Sequence, residues 1–190
     1  MRVIAGSHRG RRLSGPDGTN LRPTSDKVRE ALFSILTARI PGARFLDLFA
    51  GTGAIGIEAL SRGAASVIFV ESDQRALRIL RKNLTGCDLM NRAEIRPVRT
   101  DVFVGKPEWW GGPFDIVFAD PPYAALRELD VLWSAWTTGL VATAGVLVVE
   151  QESKTELPTR IDNAVLIRRY VYGDTALHLY GQDHTEAAAT

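Results

Sequence analysis

The 190-residue chain has one cysteine, three histidines, two methionines and almost no net charge. One cysteine excludes an internal disulfide and a multi-cysteine metal cluster, and it fits a reducing compartment. Cys87, His8, His178 and His184 are scattered along the chain, a poor basis for a metal site. No long hydrophobic run occurs. The longest nearly apolar stretch, 139–149, has 11 residues with Gly and Thr inside it, where a bilayer-spanning helix needs ~20. The opening residues hold only a four-residue apolar run, so no secretory signal is expected and the chain reads as cytoplasmic. Internal repeats and heptads are also missing. What is present is 45% hydrophobic and 24% charged residues, which excludes global disorder and suits one domain with a sizeable core.

A net charge of +1 argues at first against a polyanionic partner, but it conceals a division. Residues 1–30 carry seven basic and three acidic side chains, a local charge of +4; the remainder carries 16 and 19, or −3. The chain therefore reads as a mildly acidic body, 25–180, behind a basic arm, 1–24, with 181–190 as a disordered tail. The arm segment RGRRL at 9–13, followed by Gly and Pro, reads as short, irregular and mobile, and guanidinium forks of this kind suit phosphate.

The periodicity of 25–40 predicts a helix with Val28, Ala31, Leu32, Ile35 and Leu36 on one side, Ser25 as its N-cap, and an end before Pro41-Gly42. Strands are expected at 43–49, 66–71, 94–98, 114–120 and 145–150, with helices at 54–62, 73–84 and 126–136 between them. Strands alternating with helices imply a parallel sheet covered on both faces. Residues 164–180 form two extended runs about Gly173-Asp174, an antiparallel hairpin at the sheet's edge.

Gly51-Thr52-Gly53-Ala54-Ile55-Gly56 follows a strand and opens a helix, and Glu71 closes the next strand. This is the layout of a dinucleotide-binding unit, with glycines for close backbone approach and a carboxylate for ribose hydroxyls. It is equally the layout of a tight turn without a ligand. Two features point away from NAD. Asp47 sits inside the strand end, where a carboxylate needs a cationic partner and would repel a pyrophosphate. No Lys or Arg adjoins the loop, and Gly-Lys-Ser/Thr is missing. An adenosyl ligand with a sulfonium and an ammonium fits an acidic pocket better. Asp101 could accept from its adenine amine or simply cap a turn.

Asp120-Pro121-Pro122-Tyr123 ends the strand at 114–120, at the edge where ligands bind in such sheets. The prolines stiffen the turn and remove two amide donors, Asp120 accepts when ionised, and Tyr123 offers a flat ring. An acceptor, a fixed carbonyl and a stacking face suit the exocyclic amine of a nucleobase, held against a carbon electrophile.

With RVIAG (2–6), RGRRL (9–13), RPTSDKVREALFSIL (22–36), DLFAGTGAIGIEALSRGA (47–64), FVESD (69–73), DPPY (120–123) and YGDT (172–175), the chain resembles the class I adenosylmethionine-dependent methyltransferases. Within them it resembles the bacterial RsmD-type enzymes that methylate the 2-amino group of one guanine in 16S ribosomal RNA. The resemblance covers about residues 1–180. It implies an α/β, Rossmann-like fold with a seven-stranded, mostly parallel sheet, a C-terminal antiparallel hairpin and the basic arm. It implies S-adenosyl-L-methionine as cofactor, held by Asp47, Phe49, Gly51, Thr52, Gly53, Glu71, Ser72, Asp101, Val102 and Asp120. The target amine would meet Asp120, Pro121, Pro122 and Tyr123. Arg22, Pro23, Thr24 and Ser25 would sit over the mouth, and Arg9, Arg11, Arg12, Arg22, Thr24, Ser25 and Arg29 would contact RNA. The partner implied is 16S ribosomal RNA within a 30S subunit or assembly intermediate, met by a monomer without metal or membrane. Adenine-N6 methylation of DNA or RNA and a non-catalytic RNA-binding module on the same fold are the alternatives. Trp109 and Trp110 read as base-stacking or packing residues, Trp133 and Trp136 as core.

Overall fold

The computed structural model describes residues 1–15, 26–121 and 126–183. Arg22, Pro23, Thr24, Ser25, Pro122, Tyr123 and His184 lie outside the described residues.

Helix α1 (Asp26–Ile35) leads into β1 (Arg44–Leu48), α2 (Ala54–Ser61), β2 (Ser66–Val70), α3 (Gln74–Gly86), β3 (Ala93–Arg96), α4 (Thr100–Val104), β4 (Phe114–Ala119), α5 (Leu126–Thr137) and β5 (Val141–Glu152). Three strands complete the sheet: β6 (Arg160–Ile161), β7 (Ala164–Tyr172) and β8 (Thr175–Gln182). The order is β3-β2-β1-β4-β5-β8-β7-β6, parallel from β3 to β5 and antiparallel beyond. This is the α/β sheet expected, with eight strands among the described residues rather than seven. The extra one, β6, has two residues, too short for any period to register.

Alternation along the strands divides the core. Phe45, Phe69, Ile116 and Phe118 face α1, α2 and α3, whereas Leu46, Val70, Val117 and Ala119 face α4 and α5. Trp110 and Trp136 are buried on the second side, and the Trp110 indole donates to the Phe103 carbonyl at 3.0 Å, so packing is its role. Trp109 is half-buried near the strands' amino ends, with the Lys106 ammonium 4.4 Å above its ring.

Three boundaries differ from expectation. α1 stops at Ile35 and the chain continues to residue 39 as turns. β5 begins at Val141 rather than 145, because a register shift against β4 lets Ala142–Gly145 bulge. β8 runs to Gln182, and the Asp183 amide donates to the Asn163 carbonyl at 2.8 Å, so a tail starting at 181 is too early.

The larger correction concerns the arm. Residues 1–13 are a folded loop, not a mobile irregular segment: Arg2 and Arg12 form an antiparallel bridge, and Val3 and Leu13 are buried in the α1–α3 core. The cause lies in α2. Glu58, fully buried, accepts from the amides of Ile4 (2.7 Å) and Ala5 (2.9 Å) and from Arg62 Nε (2.7 Å). Ser61 Oγ donates to the Ala5 carbonyl and accepts from the His8 amide, and its own carbonyl accepts from the Ser7 amide. Gly6 permits this closeness. Its φ is +82°, and a Cβ there would lie 1.9 Å from the Ser61 carbonyl oxygen.

Candidate active site

The register places the carboxyl ends of three central strands level. Leu48 of β1 pairs with Val70 of β2 and Ala119 of β4, so the next residues, Phe49, Glu71 and Asp120, emerge side by side. On β5 the partner of Ala119 is Val149, which brings buried Glu150 level with Asp120.

The glycine loop wraps over this edge in left-handed backbone. Phe49, Gly51 and Gly53 have φ of +62°, +54° and +79°. For Phe49 that conformation is uncommon and stores local strain. At Gly53 the left-handed backbone disfavours any side chain, and a Cβ there would also displace Leu80 Cδ1, 2.2 Å away. Glu71 holds the loop down: its carboxylate accepts from the Gly51, Ser72 and Asp73 amides, each at 2.7 Å. Thr52 is half-buried in the loop and Ser72 is exposed beside it.

Asp47, one residue before the end of β1, is 1% exposed and accepts from the Gly56 amide at 2.9 Å. Burial pushes its carboxyl up to about 8; the charges of Asp120 and Glu71 push the same way and the Gly56 amide opposes them. Asp120 is half-buried just past the end of β4, and desolvation pushes it up to about 6. Two carboxyls raised beside a third form a site in want of positive charge. Pro121 is buried, and its carbonyl accepts from Gln151 Nε2 at 3.5 Å, which ties the turn after β4 to β5.

Asp47 binds its proton more tightly folded than unfolded, so the ligand-free protein should lose stability as pH rises from about 4 through about 8. A cation bound beside Asp47 restores the lower pKa, so binding near pH 7 releases up to about one proton. If S-adenosylmethionine is that cation, calorimetry of its binding in buffers of different ionisation enthalpy should detect the release, and Asp47→Asn should abolish it.

The other expected residues divide. Asp101 and Val102 open α4 at the same edge, both exposed; Asp101 takes Arg99 Nε and Nη2 on its two oxygens, each at 3.0 Å, and sits below the usual carboxylate range chiefly through those bonds. Arg9, Arg11 and Arg12 are exposed on the docked arm. Arg29 is a correction: it has no exposed surface. Its Nη2 donates to the Arg2 carbonyl at 2.6 Å and to Asp26 at 3.0 Å, and its Nε lies 4.0 Å from Glu58. It ties the arm to α1 and does not reach a phosphate. Positions 29, 32, 33 and 36 share one helical face, a pattern that places Arg29 with the buried Leu32, Phe33 and Leu36. Glu58, Ser61, Asn83 and Gln151 are supporting residues that local pattern misses. Of these only Glu58 carries a signal, as a carboxylate inside the apolar helix AIGIEALS.

Comparison with known proteins agrees with this architecture. The family model described as conserved hypothetical protein 95 matches residues 1–181. Ribosomal RNA small subunit methyltransferase D of Escherichia coli strain K12 is 38% identical over 96% of this chain and 90% of its own length. The Haemophilus influenzae protein of the same name is 34% identical over 95% and 93%. The solved structure of yhhF from Escherichia coli superposes with a TM-score of 0.84 at 36% identity, over 97% of this chain and 99% of that one. Matched nearly end to end by these proteins at more than 30% identity, the chain belongs to the ribosomal RNA small subunit methyltransferase D family.

Proposed function

We propose that this protein transfers the methyl group of S-adenosyl-L-methionine to the exocyclic N2 amine of a guanine in 16S ribosomal RNA. The observation that carries the reading is the level placement of Glu71 and Asp120 at the strand ends on either side of β1, which carries the buried Asp47. The residues present fit the cofactor. Among the described residues no cationic side chain pairs with Asp47, whose carboxylate meets the Gly56 amide, and Glu71 stands where ribose hydroxyls would meet it. Asp47, Phe49, Gly51, Thr52 and Gly53 would hold the methionine end, Glu71 and Ser72 the ribose, and Asp101 with Val102 the adenine. When bound, the cofactor supplies an electrophilic methyl group.

The chain's own part is to place and prepare the nucleophile. The amine's lone pair is delocalised into the base, which makes it a poor nucleophile. Asp120 and the Pro121 carbonyl, each accepting one amine hydrogen, return electron density to nitrogen and aim it. Tyr123 would stack on the unstacked base. As nitrogen forms its bond to carbon its remaining hydrogens become acidic, and Asp120, with a pKa of about 6, is matched to take one.

The docked arm would present Arg9, Arg11 and Arg12 to the RNA backbone as a preformed surface, in a monomeric cytoplasmic protein that acts on the 30S subunit or an assembly intermediate without metal. Replacing all three with alanine should weaken RNA binding and reduce the slope of log K against log salt by about one for each phosphate no longer neutralised. An unchanged slope would remove the arm from the interface. The function itself is tested by incubating unmodified small-subunit RNA or particles with labelled cofactor and hydrolysing to nucleosides. N2-methylguanosine is the expected product; N6-methyladenosine would support the adenine reading, and no incorporation the non-catalytic one.

A further inference from the structure

Asn83, in the last turn of α3, is a buried side-chain amide whose hydrogen bonds lead to two separate segments. Its Oδ1 accepts from the Ser14 amide at 2.8 Å, and its Nδ2 donates to the Ser14 carbonyl at 3.0 Å and to the Thr52 carbonyl at 2.9 Å. Ser14 lies 69 residues from Asn83 and Thr52 lies 31 residues away. The first ends the docked arm, one residue after buried Leu13; the second is in the variable slot of the glycine loop. One planar group therefore joins the arm to the loop, with both amide hydrogens committed. A shift of the Thr52 carbonyl would have to be followed by the amide or break a partly buried hydrogen bond, and the amide cannot turn without losing Ser14.

We propose that Asn83 is a positioning residue that couples the cofactor loop to the RNA-binding arm, so that cofactor and RNA each tighten the binding of the other. The inference rests on the reading of the loop as the cofactor site and of the arm as an RNA contact. Restraining the Thr52 carbonyl restrains Asn83, and a restrained Asn83 holds Ser14 and hence the arm; the second ligand then has less to order. Reciprocity requires the same factor in both directions.

The test is titration of S-adenosylhomocysteine into the protein alone and into the protein saturated with unmodified 16S ribosomal RNA transcript. For the unmutated protein the Kd should fall about fivefold or more on adding RNA. For Asn83→Ala, and for Asn83→Asp, which keeps an acceptor for Ser14 but loses the donor to Thr52, the ratio should fall to about one. A second measurement needs no variant: by NMR, hydrogen exchange at the Ser14 amide should slow severalfold on saturation with S-adenosylhomocysteine. Equal ratios in the unmutated and Asn83→Ala proteins, or Ser14 exchange indifferent to S-adenosylhomocysteine, would overturn the proposal. If S-adenosylhomocysteine binds, Asp47→Asn weakens it and the arm variants reduce the salt slope, then a ratio of one in the unmutated protein overturns the coupling alone. Failure of S-adenosylhomocysteine to bind at all would overturn the cofactor reading and the coupling with it.

Discussion

Asparagine at position 120 should leave a folded, cofactor-binding protein whose methyl transfer has fallen by at least about 100-fold, the lower range for removing a positioned acid–base group. The substitution keeps the shape of the side chain at the end of β4 and the strand register that delivers it. It replaces one acceptor oxygen with an amide donor pointed at an amine that is itself a donor, and it removes the proton acceptor placed at that strand end. Single-turnover incorporation of labelled methyl into RNA measures the loss, and the affinity for S-adenosylhomocysteine, changed by less than about tenfold, separates it from failure to bind. The unmutated enzyme should lose activity as pH falls through about 6, because desolvation raises Asp120 to that value and the protonated carboxyl can no longer take a proton from the amine. That limb should vanish in the asparagine variant. Activity within about threefold of the unmutated protein would take Asp120 out of the reaction and favour the non-catalytic reading.

Glu58→Ala should be the most destabilising single change of the buried polar groups, at about 3–5 kcal/mol, the cost of removing one partner from a buried ion pair. Four groups lose their acceptor or counter-charge together: the Ile4 and Ala5 amides, Arg62 Nε, and the Arg29 guanidinium, which keeps Asp26 and the Arg2 carbonyl. Arg29 already carries two buried nitrogens, Nε and Nη1, without a hydrogen-bond partner, and burial lowers its pKa, so it has little reserve. Urea denaturation measures the loss, and a fall in Tm of roughly 10 °C is the thermal equivalent for a chain of this size. The arm should also come free, which limited trypsin digestion at Arg9, Arg11 and Arg12 will report. Glu58→Gln retains an acceptor for one arm amide and should lose less. A stability loss smaller than about 0.5 kcal/mol for the alanine variant, the range of ordinary surface changes, would show that the clamp contributes little.

The parts of the fold that were legible are those written in short-range pattern. β1, β2, β4 and the β7–β8 hairpin lie close to their expected spans because alternation and turn residues are local signals. Asp73, expected as the first residue of the helix at 73–84, is instead the cap of α3: its carboxylate accepts from the Arg75 and Ala76 amides. The glycine loop and Asp120 were legible for the same reason, a strand end followed by a turn of particular chemistry. The bulge that extends β5 was not, because it arises only against β4, where a Cβ on Gly145 would come within 2.9 Å of the Phe114 carbonyl.

The arm shows the boundary most clearly. Counting charges located a basic segment and its arginines. It did not distinguish Arg29, which the helix turns inward onto Glu58, from Arg9, Arg11 and Arg12, which remain exposed. Nor did it reveal that the arm is docked, because the groups that hold it lie 27 to 69 residues away along the chain. The sequence by itself determined the sheet, the family and the chemical groups at the strand ends, since each is encoded within a few consecutive residues. Only the tertiary structure decided which arginines are exposed and that one asparagine joins the arm to the glycine loop. Burial and long-range hydrogen bonds are properties of packing, and no local pattern carries them.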